Sequence, residues 1–260
     1  MINRKLKLVT LFLATFFNCN LLIAQVLPEF HAKYAIEKYG IEVAEASYQL
    51  NHRKNGYKFT QHTELTGFAS LFANDTVNAV SLIDEVNGKL FLQQHRYIQT
   101  GREKNKNEDF SIEWSNTEES IKGNITGVVR NKTISLETEG PVWEVLSFQI
   151  PLMIDANKKT KHYPYKAILK GEINTYDFVF TSSKNVAFAD KEYELLQMVR
   201  TDPHKNRQLH IWIAPELHNL PVIIENYKNG KEDSRMQLKS VKFSNDKTLN
   251  DQLKDEDDEF

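Results

Sequence analysis

Apolar and polar residues alternate along most of this chain, a period of two that predicts strands with one buried face rather than amphipathic helices. Ala44, Ala46, Tyr48 and Leu50 fall on one face, and past Asn55-Gly56 the residues Tyr57, Phe59, Thr63 and Leu65 repeat the period. Asn-Gly readily supplies the positive φ angles of a tight hairpin, so these two runs are expected to pair. Val80, Leu82 and Val86 ahead of Asn87-Gly88, with Leu90 and Leu92 after it, predict a second hairpin. Phe110, Ile112 and Trp114 alternate next, and Val128, Val129, Ile134 and Leu136 flank a polar turn at Arg130-Asn131-Lys132.

One interval changes period. From Val142 to Ile150 the apolar residues recur three and four apart, which predicts a short helix begun after Gly140-Pro141 and lying ahead of Pro151. Such a helix would plug one end or face of the sheet. Strands resume at Lys166 to Lys170, Tyr176 to Thr181 and Tyr193 to Thr201, punctuated by Gly171 and by Ser182-Ser183-Lys184-Asn185. Leu209, Ile211 and Ile213 then face one way and His210, Trp212 and Ala214 the other. Pro215 and Pro221 each lack a ladder donor and mark strand ends; Asn229-Gly230 turns Val222 and Ile224 back toward Met236 and Leu238. The expected fold is all-β and mainly antiparallel, a large twisted sheet or an open, partial barrel with one short central helix.

The first residues carry a different grammar. Arg4, Lys5 and Lys7 precede an apolar run from Leu8 to Phe17, and Ala24 stands before Gln25, the arrangement of a secretory signal peptide over 1–24. The competing reading is an uncleaved anchor, because Leu6 to Ala24 approaches the roughly 20 apolar residues of a bilayer span. Asn18 and Asn20 interrupt the run and favour cleavage, which leaves no integral span. Phe16, Phe17 and Asn18 lack the small residues that lipid attachment at Cys19 favours. Removing the leader removes Cys19, the only cysteine, so thiol nucleophiles, cysteine metal sites and disulfides are excluded from the mature chain. Its stability then rests on a core, and residues 25–245 are long enough to bury one as a single domain.

Charge matters mainly through its distribution. The 260-residue chain holds 33 Lys and Arg against 35 Asp and Glu. Setting aside three leader cations, and the two cations and seven anions of Asp246 to Phe260, leaves 28 of each sign in the body. A balanced body offers no net field to gather nucleic acid or anionic lipid. Residues 246–260 read as an acidic, disordered, solvated tail.

Towards the end of the chain a longer signature appears. Ile211-Trp212-Ile213-Ala214-Pro215-Glu216-Leu217-His218-Asn219-Leu220-Pro221-Val222, followed by Asn229-Gly230 and Leu238, resembles the closing signature of a bacterial exported family, domain of unknown function 3108. Phe30, Tyr34, Tyr57, Tyr97, Trp114 and the segment from Trp143 to Leu152 agree with it. The likeness spans roughly residues 28 to 243. The chain departs from it at Glu42 to Ala46, where glycine is common, and at Trp143, where an acidic residue often stands. The resemblance implies an exported, mostly antiparallel β protein of a Gram-negative envelope, in the periplasm, and carries no established activity.

Candidate chemistry is sparse. His204, His210, His218 and Glu216 are ordinary ligand types, but their spacing matches no zinc motif, so packing or surface roles are expected and no metal or cofactor is assigned. Ser70, Ser81, Ser111 and Ser147 lack a nucleophile elbow. Adjacent carboxylates such as Asp84-Glu85 and Glu118-Glu119 point to opposite faces of a strand. Asn74, Asn124 and Asn131 fit the glycosylation acceptor pattern and are read as chance in a bacterial export context. The aromatics remain. Tyr34, Tyr48, Trp114, Trp143, Phe148 and Trp212 are the candidates to line a concavity, and eight or so strands suffice to hold a small apolar ligand. Three function classes follow, in this order: a noncatalytic binder of an apolar or amphipathic, lipid-like ligand, an envelope assembly scaffold with a protein partner, and an unrecognised hydrolase.

Overall fold

The computed structural model describes residues 26–244, apart from 72, 74, 102–105, 117–119, 189 and 190. The expected leader with Cys19, Asn74, the pair Glu118-Glu119 and the expected acidic tail 246–260 lie outside the described residues. The body is a meander of strands: β1 (Phe30–Lys38), β2 (Ile41–Arg53), β3 (Gly56–Leu65), β4 (Thr76–Val86), β5 (Lys89–Gln99), β6 (Glu108–Asn116), β7 (Ile121–Val129) and β8 (Lys132–Glu139). After the short β9 (Val142–Trp143) and one helix, α1 (Gln149–Asp155), it continues as β10 (His162–Leu169), β11 (Glu172–Phe188), β12 (Lys191–Asp202), β13 (Arg207–Ala214), β14 (Leu220–Lys228) and β15 (Lys231–Phe243).

Among the described residues fifteen strands form one sheet in the order β8-β7-β6-β5-β4-β3-β2-β1-β15-β14-β13-β12-β11-β10-β9. Neighbours are antiparallel except the two-residue parallel contact of β9 with β10. The sheet is joined in its middle by β1 and β15, the two ends of the domain, from Phe30↔Phe243 to Lys38↔Ser234. Its edges are β8 and β9, which follow each other in sequence through Gly140-Pro141. The sheet therefore curls into a nearly closed barrel with a seam between β8 and the β9–β10 pair. Lys166 Nζ bridges this seam by donating to the Glu139 carbonyl oxygen at 2.5 Å. Farther along, Gly171 lies against Ile134, whose Cγ2 is 3.1 Å from where a Cβ would stand.

Alternation fixes what fills the barrel. Phe30, Ala32 and Tyr34 of β1, Ala44, Ala46, Tyr48 and Leu50 of β2, and Tyr57 and Phe59 of β3 are buried. Phe178, Met198, Ile211, Ile213, Val222 and Leu238 supply much of the core from the other half. Residues 144–155 cross the interior as a plug, with Leu146, Phe148, Ile150, Leu152 and Met153 buried. Asn219 holds the plug from outside α1, its Nδ2 donating to the carbonyls of Met153 and Ala156 at 2.8 and 3.2 Å.

Three expectations are corrected. The helix begins at Gln149, with Pro151 inside its first turn, while Val142–Trp143 pair as a strand. The segment between them turns because the Glu144 carboxylate accepts the N–H groups of Leu146 and Ser147, both at 2.6 Å. Ser182-Ser183-Lys184-Asn185 is not a break. It lies inside β11, whose ladder to β12 continues to Phe188↔Lys191 past a register shift at Phe180/Ser182. These polar residues are exposed, so a strand tolerates them. On β4 the buried face is Ala79, Ser81 and Ile83, not Val80 and Leu82, because Ser81 is drawn inward by the plug.

The predicted turns at Asn87-Gly88, Arg130-Asn131 and Asn229-Gly230 are present. In the β2–β3 hairpin the turn falls at Lys54-Asn55, and Gly56 opens β3 with φ +136°. A Cβ on Gly56 would collide with the Ile83 carbonyl oxygen and stand 2.9 Å from Asp84 Cα. Gly56→Ala is therefore expected to cost about 1–3 kcal/mol, because backbone cannot yield as a side-chain tip can. Urea denaturation would measure it, and an unchanged midpoint would refute the contact.

Candidate functional site

Two cavities flank the plug. The one at the lower end, where the β4–β5 turn lies, measures about 680 Å³. It opens at the seam, between the β4–β5 hairpin, the β8–β9 joint, α1 and β10. Leu90, Trp143, Ile154, Tyr165 and Tyr57 give it apolar walls. Pro141, Pro151 and Pro164 also line it, and proline brings no backbone N–H that would need a partner there. Charge is confined to Glu85, Lys89, Glu139, Asp155 and Lys166. Partial burial raises the Asp155 carboxyl above its ordinary value, opposed by the Tyr165 hydroxyl, which donates to Oδ2 at 3.0 Å. The upper cavity, about 340 Å³, lies on the other side of the plug beside Val145, Phe148, Tyr176, Arg200 and Tyr227. Arg200 stacks its guanidinium 3.7 Å from the Tyr176 ring centre.

The six candidate aromatics separate in space. Trp143 lines the lower cavity and Phe148 the upper one, where it also stacks on Phe178 at 5.2 Å between ring centres. Tyr34 and Tyr48 are core. Their rings meet edge to face at 5.2 Å, and their hydroxyls donate to the Pro221 carbonyl at 2.9 Å and to Met236 Sδ at 3.7 Å. Burial pushes both phenols up. Trp114 fills the gap where β6 leaves β5: its indole N–H donates to the Leu92 carbonyl at 2.8 Å and its ring packs on Phe91. It borders a separate groove with Lys122, Glu137 and Thr138. Trp212 faces away from Ile211 and Ile213, its N–H 3.2 Å from Glu225 Oε2 and its ring under the Lys184 ammonium at 3.9 Å. The wall residues that sequence reasoning did not name as candidates are Tyr57, Leu90, Ile154, Tyr165 and the three prolines. The spacing of Pro141, Pro151 and Pro164 around the plug is the one signal that could have found them.

Sequence reasoning also missed a buried polar cluster. Ser81, His95, Glu144 and Ser147 are 0–2% exposed and meet at the top of the plug. Ser81 Oγ donates to Glu144 Oε1 at 2.8 Å and lies 3.1 Å from His95 Nδ1, while Glu144 Oε1 is 3.5 Å from that same nitrogen. A nucleophilic relay uses the two imidazole nitrogens separately, one for the hydroxyl and one for the carboxylate. Here serine and carboxylate share one nitrogen and the hydroxyl proton goes to the carboxylate. The cluster is arranged to anchor the plug, not to activate a nucleophile.

The histidines of the metal reading are dispersed. His210 lies over Tyr227, His218 sits at φ 56° against Phe243, and Glu216 pairs with Lys191 at 2.6 Å. Among the described residues no three His, Cys, Asp or Glu side chains are grouped to hold a metal ion, and no helix is long and apolar enough to cross a membrane.

Residues 29–238 match the family described as "Protein of unknown function (DUF3108)". Among solved structures, the chain is similar to a β-barrel-like protein of domain of unknown function DUF1849 from Brucella abortus, with 10% identity and a TM-score of 0.55. The similarity covers 84% of this chain and 99% of the other. No curated protein matches.

Proposed function

Because the chain belongs to the DUF3108 family, whose description assigns no activity, we propose its role from the geometry: it is an exported, periplasmic, noncatalytic binder of an apolar or amphipathic ligand held in the lower cavity. One observation carries this reading. A space of about 680 Å³ with apolar walls and three lining prolines remains open at the seam of the barrel. Ligand pockets commonly span about 300–1,000 Å³ and are mostly apolar with a few polar groups. A lipid-like chain fits the walls, with a polar head at the charged rim. Export is supported by Arg4, Lys5, Lys7 and the apolar run to Phe17.

Native mass spectrometry of gently purified protein is expected to show a bound amphiphile. Ile154→Glu, which sets a charge in the wall from a half-buried position, should weaken binding of a fluorescent fatty acid by at least about tenfold. A protein that emerges ligand-free, with equal probe affinity in wild type and variant, overturns the reading.

Assembly without a ligand is the second reading. Beyond Phe180, β11 is paired with β12 on one side only, since β10 ends its ladder at Val179. That leaves a strand edge to Phe188 with no strand partner among the described residues, and such edges accept an added strand. Crosslinking that captures a reproducible envelope protein at Ser182 to Phe188 supports this role; its loss on substituting prolines there would be the check.

A further inference from the structure

The end of the barrel opposite the lower cavity carries both exposed apolar tips and a row of cations. Tyr39, Ile41, Phe68 and Leu71 stand at its β1–β2 and β3–β4 connections and are 74, 65, 72 and 75% exposed. Exposed apolar side chains scattered singly are ordinary, but four at neighbouring loop tips form a patch. The 67–71 turn is held beside β2, where Thr66 N–H donates to the Val43 carbonyl at 3.0 Å. Tyr39 reaches to the next sector, donating its hydroxyl to Asp233 at 3.2 Å.

Beside Tyr39 the ladder sets cations side by side. Arg207 is directly opposite Lys228, and Lys228 directly opposite Lys231, across β13, β14 and β15. Like charges directly opposite in an antiparallel pair are destabilising. On β12 and β15 the carboxylates next to this row are engaged elsewhere, Asp202 by Lys205 at 2.9 Å, Glu232 by Arg235 at 2.9 Å and Asp233 by Tyr39, while Glu37 and Glu42 face each other on the neighbouring β1–β2 hairpin. Among the described residues, Arg207, Lys228 and Lys231 have no ion-pair partner. The fold thus retains a repulsive row at the same end as its exposed apolar tips.

We propose that this end docks on the surface of an anionic lipid bilayer, with Phe68, Leu71, Ile41 and Tyr39 entering the interface and Arg207, Lys228 and Lys231 facing lipid headgroups. Apolar tips gain from burial among the acyl boundary, and an anionic surface relieves the repulsion of the cation row. A second copy is a poor occupant, because a two-fold contact through this face would oppose the same cations. The inference goes beyond the cavity reading and stands independently of it; a docked molecule would turn the lower cavity away from the bilayer.

The test uses protein with residues 1–24 removed, so that the leader cannot bind the vesicles. Co-sedimentation with vesicles of one part phosphatidylglycerol to three parts phosphatidylethanolamine, at 0.1 M salt, should show binding that pure phosphatidylcholine does not. One Lys or Arg near an anionic surface contributes about fivefold in partitioning, so K228E/K231E should lower binding by more than about 25-fold. F68S/L71S should lower it at least about tenfold. Both variants replace surface groups, and unchanged thermal melts and unchanged fatty-acid probe binding would show that the fold and the cavity are intact. No vesicle binding by wild type, equal binding to phosphatidylcholine, or a concentration-dependent dimer that F68S/L71S abolishes without any vesicle binding would each overturn the proposal.

Discussion

Glu144→Ala is expected to destabilise the protein by about 3–5 kcal/mol, the scale of removing one partner from a buried charged network. The Glu144 carboxylate accepts from Leu146 N, Ser147 N and Ser81 Oγ within 2.8 Å, and all four of these residues are buried, whereas Val145 between them is exposed. Truncation leaves the Leu146 and Ser147 N–H groups buried without an acceptor, and each orphan costs about 1–3 kcal/mol. Glu144→Gln keeps one oxygen and should cost less. Ser81→Ala removes a single hydroxyl, so the double variant should fall well short of the sum of the two, because both act on one contact. Urea unfolding of the four proteins measures the cycle. Strict additivity would mean that Ser81 and Glu144 do not cooperate in fixing the plug.

Phe178→Ala should be comparably severe, at about 3–5 kcal/mol. The ring is fully buried at the middle of β11 and lies nearly parallel to Phe148 of the plug, 12° between planes. Removing it deletes apolar contact from barrel and plug at once, and the sheet cannot collapse into the space while its ladder holds. Coupling with Phe148→Ala should amount to about 0.5–1.5 kcal/mol beyond lost area, the usual range for aromatic pairs. If thermal unfolding shows Phe178→Ala to be mild, the plug is not wedged against this wall of the barrel and the cavity geometry on both its sides would need revision.

Much of this architecture was legible in the residues. The period of two, the Asn-Gly pairs at 87–88 and 229–230 and the bracketing prolines 215 and 221 are local signals, and a strand or tight turn is decided within a few residues. The closing strands Arg207–Ala214, Leu220–Lys228 and Lys231–Phe243 lie where alternation put them. Local signals failed where a distant partner held the balance. Apolar spacing near Val142 read as helix, yet Glu144 satisfies two backbone N–H groups that a helix starting there would have used. Ser81 gave no local sign of its burial because its partners lie at positions 95 and 144.

The candidate site shows the same division. Large aromatics are identifiable by composition, but whether one fills core, seam or outer face depends on which strands curl toward one another. Tyr34 and Tyr48 were drawn into the packed centre, Trp212 under Lys184, and only Trp143 reached the lower cavity. Charge behaves alike: equal totals in sequence say nothing of Arg207, Lys228 and Lys231, which ladder register alone makes neighbours. The sequence by itself determined the β class and most of its turns, because these follow from chain-local stereochemistry and hydropathy. Closure of the barrel, the plug, the cavities and the row of three cations were decided only in three dimensions, by contacts that the local sequence does not specify.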